Sequence, residues 1–316
     1  MVRLIKNICV MILAVVMLIG MLGVFDYTVI GKYYNDNYDA ALIDKVDRLK
    51  NIKEPKIILV GDSNVAFGIN SKKIEEELGM PVVNLGLHGA LGNAFHEQIA
   101  KLDIGGGGIL VVCHSSYSDT DQILDPTIAW LALDYNKELY PIIRRKDLKR
   151  MLLAYPGYLR SSYSMWLLDF IQTYDKGCYA RSAFNEYGDI VYKPESGKID
   201  IDTYFSQTLV MVPEINDICV NRLNELNEYV NSQGARMVVA GYPIAYGKYA
   251  GFKEEDFDNF KKDLEDSLDC DVISDYAEYF FPYEYFYNSS YHLTNEGAEA
   301  RTDQLIADLR KWMECN

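Results

Sequence analysis

From residue 56 onward the chain repeats one pattern: a short, wholly apolar run, then a polar or glycine-rich turn, then a longer amphipathic stretch. Runs of four or five apolar residues without alternation are the signature of strands buried on both faces, as in a parallel sheet. They occur at Lys56–Val60, Pro81–Asn84, Ile109–Cys113, Arg236–Ala240 and Cys270–Ile273. Between or after them, helical spacing predicts helices over 71–78, 90–102, 213–234, 254–268 and 295–313. Ser71, Pro213 and Thr294 are the expected start signals, and Gly79 and Gly234 the expected stops. Strand–helix alternation on this scale predicts an α/β fold with a doubly wound, flavodoxin-like sheet of five parallel strands.

The alternation is interrupted once. Residues 118–208 carry helical stretches rich in aromatics (Trp130, Tyr135, Tyr140, Tyr163, Trp166, Phe170, Tyr174) and no strand of the same type. We read this as a helical insertion covering one edge of the sheet, its aromatics serving as core rather than as a sugar platform. Gly105–Gly108 reads as a turn into the third strand. It is not a phosphate loop, since no strand directly precedes it and no Lys-Ser/Thr pair follows.

The N-terminus obeys a different rule. Ile8–Phe25 is an uncharged stretch of 18 residues, which as a helix measures about 27 Å against a bilayer core of about 30 Å. Arg3 and Lys6 precede it and Asp26 follows, so the positive-inside rule predicts a cytoplasmic N-terminus with the remainder outside the cell membrane. A cleaved signal peptide needs a shorter core and small residues at its end, where this chain has Leu22, Val24 and Phe25. The expected layout is an anchor over 1–30, a stalk over 31–54 that is partly helical (Ala40, Leu42, Ile43, Val46, Leu49), and one domain over 55–316.

A net charge of −15 opposes nucleic-acid binding, which needs basic patches. The six cysteines show neither a CxxC pair nor metal-ligand spacing. The one basic cluster, Arg144 to Arg150, is either a solvated helix face or a contact for anionic headgroups.

In an open parallel sheet, ligands bind beyond the carboxyl ends of the strands. The residues found there are Gly61-Asp62-Ser63-Asn64, Gly86-Leu87-His88-Gly89 and His114-Ser115-Ser116-Tyr117, and Ser289-Ser290-Tyr291-His292 lies just before the last helix. Three of the four histidines fall in these segments. Asp62, Asn64, His88, His114 and Ser289 are therefore candidate lining residues around Ser63 and His292. A metal site from Asp62, His88, His114 and His292 is the alternative, but nothing in the spacing favours one, and neither metal nor cofactor is expected.

These segments resemble the conserved blocks of the SGNH (GDSL-like) hydrolases. Gly61-Asp62-Ser63-Asn64 is similar to the first block, whose serine is the nucleophile. Asn84 to Gly89 is similar to the second, whose glycine lends an N–H to the oxyanion hole. Tyr291-His292-Leu293-Thr294-Asn295-Glu296-Gly297 resembles the last, whose histidine is the general base. The resemblance implies an SGNH-type fold, Ser63 and His292 as the catalytic pair, and the N–H groups of Ser63 and Gly89 as the oxyanion hole. Two positions depart from it: no Asn follows the third strand, and Ser289 stands where the family usually has an Asp three residues before the histidine. With one N-terminal anchor and an outward domain, the chain is similar to proteins of teichoic-acid D-alanylation and polysaccharide O-acetylation. That implies a cell-surface glycan as substrate and a multi-span membrane acyltransferase as partner. A catalytically weakened, polymer-binding subunit is the second expectation.

Overall fold

The computed structural model describes residues 1–31, 36–118, 120–171 and 176–315. Tyr33 and Tyr34 of the expected stalk and Tyr174 of the insertion lie outside them, as does the side chain of Phe170.

The chain begins with α1, Val2–Phe25, which continues into one π-helical turn at Asp26–Ile30. The helix is apolar all round, with a mean hydropathy of 3.0, and its apolar window is wholly exposed. By length and composition it can cross a membrane. Next comes α2, Ala41–Asn51, which buries Leu42, Val46 and Leu49 in the main core. The second half of the expected stalk is thus folded onto the domain.

The domain proper is a five-stranded parallel sheet. In chain order it runs β1 (Ile57–Val60), α3 (Ser63–Phe67), α4 (Ser71–Leu78), β2 (Val82–Asn84), α5 (Asn93–Ala100) and β3 (Ile109–Val112). After β3 the insertion supplies α6 (Pro126–Leu133), α7 (Leu148–Ile171) and α8 (Ile201–Gln207). The sheet then resumes with α9 (Asp217–Ser232), β4 (Arg236–Val239), β5 (Ile244–Ala245), α10 (Glu254–Ser267) and β6 (Asp271–Val272). The chain ends with β7 (Phe280–Phe281), the pair β8 (Phe286–Ser289) and β9 (His292–Leu293), and α11 (Asn295–Cys315).

The strand order of the main sheet is β2-β1-β3-β4-β6, the flavodoxin-like order with its switch point beside β1. Ile57 pairs with Ile109 and Ile109 with Arg236, so the three central strands run in step. Successive side chains point to opposite faces. Ile58, Val60, Leu110, Val112 and Val239 join the core under α2, α5, α6, α9 and α10. Ile57, Leu59, Ile109, Val111 and Val238 face Ile74 of α4 and Leu305 and Leu309 of α11. Helices on both faces explain why the strands carry no polar alternation.

Two helix starts and one cap differ from expectation, the first being α5, which begins at Asn93 and not at residue 90 because Gly89–Leu91 forms a separate short turn. Helix α9 starts at Asp217, not at Pro213, because Asn216 caps it by accepting from the Cys219 N–H. The residues before it are held extended by bridges from Val210 to Ala250 and from Ile215 to Tyr117. Asn70, rather than Ser71, caps α4, which frees Ser71 to bond Asp189 of the insertion through both its N–H and its hydroxyl. All six cysteines are free thiols.

Candidate active site

The site is assembled at the carboxyl edge of the sheet, beside the switch point. Gly61 leaves β1 so close to its neighbours that a Cβ would lie 2.5 Å from Val65 Cγ2 and 2.7 Å from the Cys113 carbonyl oxygen. Only glycine fits there, and the tight exit turns the chain directly into α3. Asp62 is the N-cap of this helix, accepting from the Asn64 N–H at 2.8 Å. Ser63 is consequently its first residue, half-buried at the positive end of the turn.

His292 arrives from the far end of the sequence. The β8–β9 hairpin folds Ser289 opposite His292, and the imidazole lies flat on Phe67 of α3, with centroids 3.9 Å apart and planes 4° from parallel. Its Nε2 is 2.8 Å from Ser63 Oγ. Its Nδ1 is 2.6 Å from Asn288 Oδ1, and Asn288 Nδ2 donates to the Tyr179 hydroxyl at 2.9 Å. With the amide nitrogen spent on Tyr179, the amide oxygen faces the ring and accepts from Nδ1–H. Nε2 is then left free to accept the serine proton. Burial is the main influence on the imidazole and pushes its pKa down to about 4; Asp62 opposes this, while the Lys193 ammonium, and His88 to the extent that it is protonated, act with burial. At neutral pH the ring is an uncharged base.

Ser63 and Gly89 each open a helical turn, so neither N–H has an intrahelical acceptor. Gly89 stands against Asp62, with room for a Cβ at 3.5 Å from the Asp62 Cβ. The two amides therefore flank the same rim. His88 occupies the N-cap of the Gly89 turn, its Nδ1 accepting from the Ala90 N–H at 3.0 Å, with Tyr38 packed edge-on against the ring.

Three of the expected lining residues do other work. Asn64 is fully buried, and its amide donates to Asp62 and to the Cys113 carbonyl, fastening α3 to the end of β3. His114 is also fully buried and bonds Glu97 at 3.0 Å, and Glu97 in turn holds Arg222 at 2.7 Å. Burial alone would raise the Glu97 pKa, but His114 and Arg222 outweigh it and hold the carboxyl below its usual range. Ser289 turns its hydroxyl to the N–H groups of Tyr291 and His292, which closes the hairpin and leaves the ring to Asn288. Asp62 remains at the rim, accepting from Asn64 and from the Ser115 hydroxyl. Ser115, just after β3, thus spends its hydroxyl on Asp62. Among the described residues no cluster of three or more His, Cys, Asp or Glu side chains is placed to hold a metal ion.

Four contributors were not foreseen: Asn288, Tyr179, Phe67 and Arg301. The fully buried Arg301 guanidinium donates to the Asn64 and Gly241 carbonyls, tying α11 to the helix that carries Ser63. Asn288 was visible as the neighbour of Ser289. Tyr179 lies in the insertion, and nothing in its local sequence marks it. Comparison with protein-family models, with curated proteins and with solved structures finds no match.

Proposed function

We propose that this protein is a membrane-anchored, serine-dependent acyl-ester hydrolase or acyltransferase of SGNH type, facing outward and acting on a cell-surface glycan. The observation that carries the reading is the Ser63–His292–Asn288 relay: a hydroxyl at a strand-to-helix turn, a neutral imidazole within 2.8 Å of it, and an amide fixing the ring's tautomer. Amides serve in this third position in Cys-His-Asn proteases. His292 takes the Ser63 proton as Oγ attacks the ester carbonyl. The N–H groups of Ser63 and Gly89 receive the oxyanion, each such donor being worth about 3 to 4 kcal/mol. The imidazolium returns its proton to the departing alkoxide, leaving an acyl-serine. His292 then deprotonates water, or an acceptor alcohol, which displaces Ser63 and completes hydrolysis or transfer.

The location rests on α1, with Arg3 and Lys6 on the cytoplasmic side. The glycan substrate, an acetyl or D-alanyl group as the moiety moved, and a multi-span acyltransferase as partner follow from the resemblance of layout described above.

A second reading has its own support. With Asn288 in place of a carboxylate and the Ser115 hydroxyl committed to Asp62, the domain also suits a weakened, polymer-binding subunit. Fluorophosphonate labelling of the detergent-solubilised full chain separates the two. The enzyme reading expects labelling that disappears in Ser63→Ala and drops in His292→Ala. A folded protein that takes no label sinks it and leaves the binding subunit.

A further inference from the structure

Helix α7 of the insertion crosses the end of α1. Tyr155 packs so closely on Gly23 that a Cβ there would collide with its hydroxyl. The Tyr163 hydroxyl donates to the Leu22 carbonyl at 2.9 Å, and Phe25 packs against Tyr163 and Trp166. Tyr158 and Ser162 donate to the buried carboxylate of Asp26, as does Tyr135 from the loop after α6. These contacts extend over about 17 Å of α7, from residue 155 to residue 166, but over only about 6 Å of the N-terminal helix, from residue 22 at the end of α1 to residue 26 at the start of the π turn. The helices therefore cross steeply. If α1 stands along the membrane normal, α7 lies close to the membrane plane.

The outer face of α7 is unusual for this chain. Leu148, Leu152, Leu153, Leu167 and Leu168 are all exposed, Leu152 and Leu153 by 70% and 71%. From Leu148 to Leu168 there is no Asp or Glu, in a chain that has 46 of them. Lys149 and Arg160 are the charges on this face, and both are exposed. The basic cluster nearby is largely neutralised within the protein: Arg144 and Lys146 pair with Asp121, and Arg150 bonds Gln122 and the Ile123 and Leu124 carbonyls.

The crossing also fixes which way this face points. Tyr158 and Ser162, one turn apart, reach Asp26 on the domain side, whereas Tyr163 reaches back to Leu22 on the apolar side. On the helix surface Tyr163 neighbours Arg160 and Leu167, so the leucine face is turned toward the apolar body of α1. Pro156, exposed on the same face, has no N–H to offer the Leu152 carbonyl. That carbonyl needs a hydrated partner, which suits the headgroup boundary and not the hydrocarbon core.

We propose that α7 is an interfacial helix, lying on the outer leaflet with its leucines among the upper acyl chains and Lys149 and Arg160 against anionic headgroups. The proposal rests on α1 being a membrane anchor. It turns a single tether into a two-point seat that holds the candidate site in a fixed orientation to the bilayer.

The test uses the full chain with Cys9→Ser and Cys315→Ser, reconstituted in phosphatidylcholine–phosphatidylglycerol liposomes. An environment-sensitive fluorophore is placed singly at Leu153→Cys, Leu167→Cys, Leu13→Cys in α1 and Glu255→Cys on α10, all exposed positions. Emission at 153 and 167 should be quenched by a lipid carrying a nitroxide near the headgroup, more than by one carrying it deep in the chain; position 13 should show the reverse, and position 255 neither. If position 13 is quenched while 153 and 167 behave like 255, α7 stands clear of the bilayer and the proposal is overturned, with the anchor intact. Shielded but unquenched labels at 153 and 167 reveal a second copy covering the face, which also overturns it. If position 13 is not quenched, the anchor reading fails and the proposal falls with it.

Discussion

Replacing Asn288 with Asp tests the relay at its weakest member. The amide oxygen fixes the tautomer of His292 but carries no charge, so Asn288 itself offers no more than a dipole to the imidazolium that the proposed attack by Ser63 would form. A carboxylate in the same position places a full negative charge about 4 Å from the centre of the ring, which at an effective dielectric of 20 is worth about 4 kcal/mol. That corresponds to about three pKa units and would lift His292 from about 4 toward neutrality. If the whole imidazolium charge develops in the transition state, the rate gain is up to about 10³. The gain should stay below the roughly 10⁴ lost when a triad carboxylate is replaced by an amide that imposes the wrong tautomer, because here Tyr179 already holds the amide in the productive orientation. Tyr179 can keep its bond to the variant by donating to the new carboxylate instead of accepting. The assay is the second-order rate of fluorophosphonate labelling from about pH 3 to about pH 9. A base works only above its pKa, so the wild-type rate should hold down to about pH 4. The Asn288→Asp rate should be higher at alkaline pH and should fall away at an acid limb about three units higher. A folded variant with an unmoved acid limb would refute the placement of Asn288 against the ring.

Glu97→Ala breaks the buried ion pair with Arg222 and should cost about 3–5 kcal/mol, read as a loss of at least about 6 °C in Tm, without moving the acid limb of labelling. Acidification should destabilise the wild type as well. His292, its pKa lowered to about 4, stays neutral in the fold while the unfolded chain binds a proton below about pH 6.5, so denaturant midpoints should fall between about pH 7 and pH 4, by up to about 3 kcal/mol for this group. His96, fully buried and lowered to about 4 by burial, adds to the loss in the same direction. Asp26→Ala removes the acceptor shared by Tyr135, Tyr158 and Ser162; hydrogen exchange should rise at residues 22–30 and 155–163 while the sheet stays protected, and unchanged exchange there would show that aromatic packing alone holds α1 to α7.

What the sequence disclosed and what it hid divide along a physical line. The sheet was legible because burial on both faces leaves a local trace, an unbroken apolar run, and because order along the chain restricts a parallel sheet to few windings. Ser63 was legible because polar residues just beyond such runs have a location before they have a role, and His292 because it stands just before the closing helix in a segment that resembles the last SGNH block. The third member was not, and the hairpin explains why. The pairing of β8 with β9 shifts register between Phe286 and Ser289, so the residue that reaches the imidazole lies four positions before it, not three. Ser289, at the expected offset, is opposite His292 and uses its hydroxyl on the turn. The misplaced candidates have a common cause. Asn64 and His114 sit at the right strand ends, but the next bond in the chain decides whether a side chain points over the edge or under it, and both point inward to buried partners. Tyr179 illustrates the remaining gap, since it comes from an insertion with no strand to index its position and meets Asn288 across 109 residues of chain. The long apolar helix at the N-terminus was readable from composition alone, yet its most informative neighbour was not. Asp26 marked only the end of the apolar stretch, whereas in the fold it is the buried acceptor that fastens that stretch to α7. How α1 is held against the domain therefore depends on contacts more than a hundred residues apart, which local periodicity does not encode.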